Sequence, residues 1–141
     1  VSTTRERFEV LMRCKELGIP TLVWMTPILP FINDTRKNIE GLLDYCLLAG
    51  VQGILVFDVG VTLREGDREY FYQALDRDFP GIRQKYISTY GNAYDIPSPY
   101  AKELMALIQN TCTANGMLCS PKECFTYLHE FPERYVQQTL F

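Results

Sequence analysis

The first part of the chain changes from a helical pattern of apolar residues to an unbroken apolar run. Thr3 and Glu6 have the spacing of a capping box, and an apolar stripe at intervals of three and four residues begins at Phe8. Gly18 stands where a glycine commonly ends a helix. The pattern therefore predicts a helix over about 3–17, followed by a buried strand over 21–25.

A second helix and strand follow with the same patterning. The apolar stripe of this helix is made by Ile39, Leu42, Leu43, Cys46 and Leu47. Gly50 ends the helix, and the near-continuous apolar run Val51–Phe57 predicts a strand covered on both faces. The order helix, strand, helix, strand with short connections predicts an α/β fold with parallel strands and right-handed crossovers.

The remainder of the chain is predicted to be mainly helical. Asp67 can cap a helix that extends to about residue 76, and Pro80-Gly81 would end it. Residues 82–94 carry three tyrosines in no clear period, so we expect an irregular segment there. Ser98-Pro99 and Ser120-Pro121 each mark the start of a helix. The tail from Pro132 is expected to be loosely held.

Composition limits the class of protein. The 141 residues fit a single domain, with 47% hydrophobic residues and a net charge of −3. No apolar run is long enough to cross a membrane. Five cysteines, an odd number in an otherwise ordinary sequence, favour reduced thiols and a cytoplasmic location over a disulfide scaffold.

The stretch from Trp24 to Asp34 is the first candidate for a ligand site. It begins at the end of the predicted strand, and Pro27 and Pro30 remove backbone donors, so the chain should leave the sheet there. Asn33 and Asp34 then offer side-chain oxygens to cap the next helix. Ligands in α/β proteins bind beyond the carboxyl ends of parallel strands, often under a helix N-terminus.

Other residues with reactive side chains are weaker candidates. The cysteines match no metal or cluster spacing, and the single histidine, His129, has no partner pattern, so we predict neither a metal site nor a catalytic set in this chain. Arg64 and Glu65 follow the second strand. They could bind an anion and transfer a proton, or could simply lie on a solvated helix start.

Three phrases carry a resemblance to a known family. They are Thr26-Pro-Ile-Leu-Pro-Phe-Ile-Asn-Asp-Thr35, Thr62-Leu-Arg-Glu-Gly-Asp-Arg-Glu-Tyr-Phe-Tyr72 and Thr89-Tyr-Gly-Asn-Ala-Tyr94. In this order and spacing the chain resembles the C-terminal half of radical S-adenosylmethionine proteins of the spore photoproduct lyase and DNA-repair-photolyase-like group. The resemblance extends to the terminal Leu140-Phe141.

The resemblance implies a fold, two cofactors and a set of contacts. The fold would be the C-terminal portion of a partial (β/α)6 TIM-like barrel: residues 1–80 would form barrel βα units, and 81–141 an irregular segment and C-terminal helices. The parent protein would hold a [4Fe-4S] cluster and S-adenosylmethionine. This chain lacks the family's cysteine triad, so alone it should hold neither and be inactive. The residues implied to contact the cofactor are Ser2, Thr3, Thr26, Pro27, Ile28, Leu29, Pro30, Phe57 and Gly60.

The substrate is not implied. Asp58, Arg64, Glu65, Tyr90 and Asn92 are candidate substrate contacts. The expected partner is the missing N-terminal half of the barrel, with self-association of the isolated chain through open strand edges, while binding of nucleic acid stays undecided. Two alternatives remain: a non-catalytic binding or assembly module with a half-barrel fold, and a metal-independent enzyme using Asp58, Arg64 and Glu65.

Overall fold

The structure, a computed structural model, describes residues 2–130. The tail from Pro132 and the terminal Leu140-Phe141 lie outside these residues. Within the described range the elements are α1 (Thr4–Glu16), β1 (Leu22–Trp24), α2 (Arg36–Ala49), β2 (Gly53–Leu55), β3 (Gly60–Thr62), α3 (Asp67–Asp78), α4 (Ile82–Tyr90), β4 (Asp95–Pro97), α5 (Ala101–Ala114) and α6 (Pro121–His129). None of these helices is long and apolar enough to cross a membrane.

The first two helices begin and end through local side-chain and backbone chemistry. The Thr3 hydroxyl accepts from the Glu6 amide, and the Glu6 carboxylate accepts from the Thr3 amide at 2.6 Å, which confirms the predicted capping box. The cap of α2 is Thr35, whose hydroxyl accepts from the Asn38 amide at 3.2 Å. The prediction that Asn33 and Asp34 cap this helix is therefore wrong.

The strands form two separate pairs. β1 and β2 are parallel, with Val23 opposite Ile54. On the other side of β2, the Ile54 amide donates to the Leu118 carbonyl at 2.8 Å, so β2 is bordered on both edges. β3 and β4 are antiparallel, with Val61 opposite Ile96.

The predicted fold class is wrong. The described residues form a helix-rich, mixed structure with two sheets of two strands each, and only β1 and β2 are parallel, so no part of a barrel is present among them. After β2 the chain enters β3, which pairs with a later strand in the antiparallel sense and does not extend the parallel sheet. The segment expected to be irregular forms α4 and leads into that later strand.

The apolar interior has two clusters, which the loop after β1 connects. The larger cluster lies between the parallel strands, α2 and α5, and includes Ile28. The smaller one surrounds Tyr86, and Phe31 and Ile32 of the loop pack against it. The loop after β1 is thus held by both halves of the structure.

Candidate functional site

The loop that follows β1 is fixed at its start by the sheet and closed by its own side chains. The Met25 amide donates to the Leu55 carbonyl of β2 at 3.0 Å, and the next peptide bond but one, Thr26-Pro27, is cis. The Leu29 amide donates to Asn33 Oδ1 at 2.5 Å, while the Asn33 amide donates to the Leu29 carbonyl at 3.2 Å. This reciprocal pair closes the turn.

Helix α4 anchors the middle of the loop. The buried Tyr86 hydroxyl donates to the Pro30 carbonyl at 2.8 Å. Phe31 adopts a left-handed backbone conformation with φ of 64°, and its ring meets Tyr86 edge to face with centroids 5.6 Å apart. A bulky residue at positive φ is uncommon and occurs where the surroundings impose it, often at functional sites.

The end of the loop is tied to the start of α5 by a buried polar pair. Ser98 Oγ donates to Asp34 Oδ2 at 2.5 Å, and the exposed fractions of the two residues are 4% and 2%. Ser98 Oγ also accepts from the Tyr100 amide at 3.0 Å. A carboxylate is costly to bury without a hydrogen-bond donor, so this contact fixes the position of the loop.

A groove of about 560 Å³ lies beside the loop, between α1, β1 and α2; we call it the α1–β1 groove. Its apolar lining residues are Phe8, Val10, Leu11, Val23, Trp24, Met25, Pro27, Ile28 and Leu42, and its other lining residues are Thr4, Arg7, Thr26, Asn33, Tyr45 and Cys46. The rings of Phe8 and Tyr45 stack with centroids 4.5 Å apart. The volume and the mainly apolar wall with a few polar groups are typical of small-molecule sites.

Three of the predicted cofactor contacts line this groove, and four others lie close to it in sequence. Thr26, Pro27 and Ile28 form part of its wall. Leu29 and Pro30 do not line it, since their backbone groups hold the turn and the contact with α4. Ser2 and Thr3 lie at the N-terminus of α1, where Arg7 Nε donates to Ser2 Oγ at 3.1 Å.

The other two predicted cofactor contacts lie elsewhere. The Phe57 side chain is 58% exposed, and its ring is 6.0 Å from the Trp24 ring and 6.4 Å from that of Phe125. Gly60 belongs to β3, where a Cβ atom would come within 2.5 Å of the Ile96 carbonyl oxygen. Gly60 is thus required by close strand packing, and neither residue lines the groove.

The candidate substrate residues do not form one site with the groove. Asp58 Oδ1 accepts from the Val59 amide at 2.7 Å, which is a local turn contact. Arg64 hydrogen-bonds Tyr94 and thereby lowers the pKa of that phenol. Glu65 is exposed beside them.

The last two candidates, Tyr90 and Asn92, serve the smaller cluster. The Tyr90 hydroxyl donates to the Pro97 carbonyl at 2.6 Å. The Asn92 carbonyl accepts from Arg68 Nη2 at 3.3 Å. Both contacts hold α3, α4 and β4 together, and neither residue lines the groove.

The described residues do not fit a metal or iron–sulfur ligand set. No group of three or more His, Cys, Asp or Glu side chains converges among residues 2–130. Burial raises the pKa of the Cys46 thiol to about 11 and that of Cys112 to about 12, so both stay protonated at neutral pH. Thiolate is the form that ligates iron or zinc.

The sequence analysis missed the part of the site that helices supply. Arg7 and Tyr45 line the groove from α1 and α2, and Asn33 lines it while closing the turn. Phe8 and Leu11 were identified as the inward stripe of α1, so the side of the helix could be predicted. That this stripe borders a groove could not, because periodicity does not show how tightly a helix packs.

Comparison with known proteins identifies distant relatives. The chain is 28% identical over 102 residues to uncharacterized proteins of Mycobacterium bovis and of two strains of Mycobacterium tuberculosis, a match that covers 72% of this chain. The chain spans 29% of the length of these relatives. No protein-family model and no solved structure matches it.

Proposed function

We propose that this chain is the C-terminal part of a radical S-adenosylmethionine enzyme and that Thr26, Pro27 and Ile28 form one wall of the adenosyl site. The observation that carries the proposal is the groove of about 560 Å³ against these three residues. They belong to the first of the three phrases on which the family resemblance depends. The much greater length of the relatives supports a chain that works as part of a larger protein.

The chemistry of the groove suits a nucleoside. Ile28 is buried and offers an apolar surface to a planar base, and the stacked rings of Phe8 and Tyr45 form the opposite side. The Thr26 hydroxyl and the Arg7 guanidinium are the polar groups available at the end of β1. They would orient the sugar and its substituents through hydrogen bonds.

The iron–sulfur cluster would be held by residues outside this chain, because the described residues supply no converging thiolates. The cluster supplies the electron for cleavage of the cofactor in this family. The role assigned to this chain is to bind and orient the adenosyl group and to exclude water from it. We therefore expect no activity from the chain alone.

A non-catalytic binding module is the second candidate. The observation in its favour is the exposed aromatic row of Trp24, Phe57 and Phe125, since large apolar side chains grouped on a surface mark interaction sites. The two functions differ in one property. A binding module has no need of S-adenosylmethionine.

Equilibrium binding of S-adenosylmethionine to the longer, iron- and sulfide-reconstituted protein tests the proposal. Thr26→Val keeps the shape of the side chain and removes its hydroxyl, and Thr113→Val makes the same change on an exposed face of α5. Loss of one neutral hydrogen bond is worth about 1 kcal/mol, which raises the Kd about fivefold. We expect that increase for Thr26→Val alone. Equal affinity of the two variants would count against the adenosyl site.

A further inference from the structure

One edge of the parallel sheet has no partner within residues 2–130. β1 pairs with β2 along one side only, whereas β2 is bordered on both sides. Because the Met25 amide and the Thr21 carbonyl point toward β2, the amides of Leu22 and Trp24 point toward the opposite edge. Such an edge is a template for another strand.

The position of α1 indicates which kind of strand fits there. α1 leads into β1 and lies over the open edge, because its residues and those of β1 face each other across the α1–β1 groove. A parallel strand, helix and strand in one sheet are almost always connected in the right-handed sense. A strand entering α1 would then lie beside β1, on the side that β2 does not occupy.

Apolar side chains along this edge are left exposed. The exposed fractions of Val10 on α1 and Trp24 on β1 are 62% and 59%. No residue of α1 is fully buried, although its inward stripe contains Phe8 and Leu11. Burial of such side chains contributes about 25 cal/mol per Å² of apolar surface, so covering them favours a bound strand.

We propose that the residues immediately preceding Ser2 in a longer polypeptide form a parallel β-strand that pairs with the open edge of β1. α1 begins at Thr4, so the connection from that strand would be short, as is usual between strands and helices. The strand carries apolar residues at alternate positions, which cover the lower part of the groove along Leu22–Trp24. The end of the groove at Thr26 and Arg7 stays open for a ligand.

A second copy of this chain fits the edge less well. Its only strand with an open edge is its own β1, three residues long, and that strand is overhung by its own α1. Pairing two such edges would bring two copies of α1 into the same space. The relatives, of whose length this chain spans 29%, have ample further residues from which a single strand could come.

Amide hydrogen exchange tests the pairing without any cofactor, so its result is independent of the proposed function. The isolated chain is compared with the protein expressed together with the residues that its gene encodes before Val1. The Met25 amide, bonded to β2, is the internal reference. In the isolated chain we expect the Leu22 and Trp24 amides to exchange more than about tenfold faster than that of Met25, and in the longer protein to approach its protection.

Three results would overturn the proposal. The first is rapid exchange at Leu22 and Trp24 in the longer protein as well. The second is protection of these amides that rises with the concentration of the isolated chain, which would identify a second copy as the occupant. The third is a gene with no residues before Val1.

A pair of variants at Trp24 separates the backbone bond from the side chain. Trp24→Ala removes the indole and keeps the edge amide, whereas Trp24→Pro removes both. In the longer protein we expect Trp24→Pro to have a Tm a few degrees below that of Trp24→Ala, and in the isolated chain a smaller difference. An equal difference in both proteins would contradict pairing at this edge.

Discussion

The buried pair of Asp34 and Ser98 gives the sharpest prediction about stability. Their side chains are 2% and 4% exposed, and the serine hydroxyl donates to the carboxylate at 2.5 Å. Ser98→Ala removes this donor and also the acceptor of the Tyr100 amide. The carboxylate then stays buried without its partner, which is the costly way to lose a hydrogen bond.

The expected loss follows from the charge and the burial. A hydrogen bond to a charged group is worth about 1.5–3 kcal/mol, and the unpaired Tyr100 amide adds to this, so we expect unfolding to become about 2–4 kcal/mol easier. In urea, where the slope is about 2 kcal/mol per M, the midpoint should fall by about 1–2 M. Circular dichroism at a series of urea concentrations measures it.

Ser88→Ala is the matched control. Ser88 Oγ also donates a hydrogen bond, to the Lys85 carbonyl at 3.1 Å, but it does so on the exposed face of α4. We expect a change within about 0.5 kcal/mol for this variant. If Ser98→Ala shifted the midpoint no more than Ser88→Ala does, the buried pair would not be what fixes the loop.

Three further predictions concern the loop anchor, the second sheet and the buried thiols. Tyr86→Phe should lower the free energy of unfolding by about 1–3 kcal/mol because its hydroxyl serves a buried carbonyl, and Tyr90→Phe, whose hydroxyl bond is exposed, by less. Gly60→Ala should lower the Tm, since its Cβ would lie 2.5 Å from a backbone oxygen, whereas Gly41→Ala, in open space on α2, should stabilise by about 0.5–1 kcal/mol. Burial raises the pKa of Cys112 from 9.0 to about 12, so the unfolded state loses this proton first and stability falls as pH rises above 9. At pH 10 the loss is about 1.4 kcal/mol, and Cys112→Ala should flatten the pH dependence in urea titrations; an unchanged slope would refute the assignment.

The helices could largely be predicted because their signals are local. The capping box of Thr3 and Glu6, the left-handed Gly50 and the Pro121 start are all found at the ends of helices. Intrinsic helix signals were weak only in α4. Its three tyrosines show no helical period in the sequence, and only Tyr86 is fully buried.

The sheets could not be predicted because strand pairing is decided by distant residues. Nothing local to Gly60–Thr62 indicates that its partner is Asp95–Pro97 or that the pairing is antiparallel. The apolar run Val51–Phe57 reads as a long strand, but only Gly53–Leu55 pairs, and Phe57 turns outward to solvent. Two apolar strands joined by a helix are compatible with many sheets, and the resemblance favoured the wrong one.

The candidate site was predicted in part for the same reason. The loop from Thr26 to Ile28 was identified from its prolines and its place after a strand, and it does line the groove. Phe57 and Gly60 were placed beside it on the assumption that parallel strands continue around the sheet. β3 leaves that sheet, and the two residues leave the site with it.

Reductive cleavage of S-adenosylmethionine tests the central claim most directly. The longer protein would be reconstituted with iron and sulfide, reduced, and assayed for methionine and 5′-deoxyadenosine. We expect both products from the longer protein and neither from residues 1–141 alone. A longer protein that carries a reducible cluster and forms neither product, or one that takes up no cluster, would contradict the assignment of this chain to a radical S-adenosylmethionine enzyme.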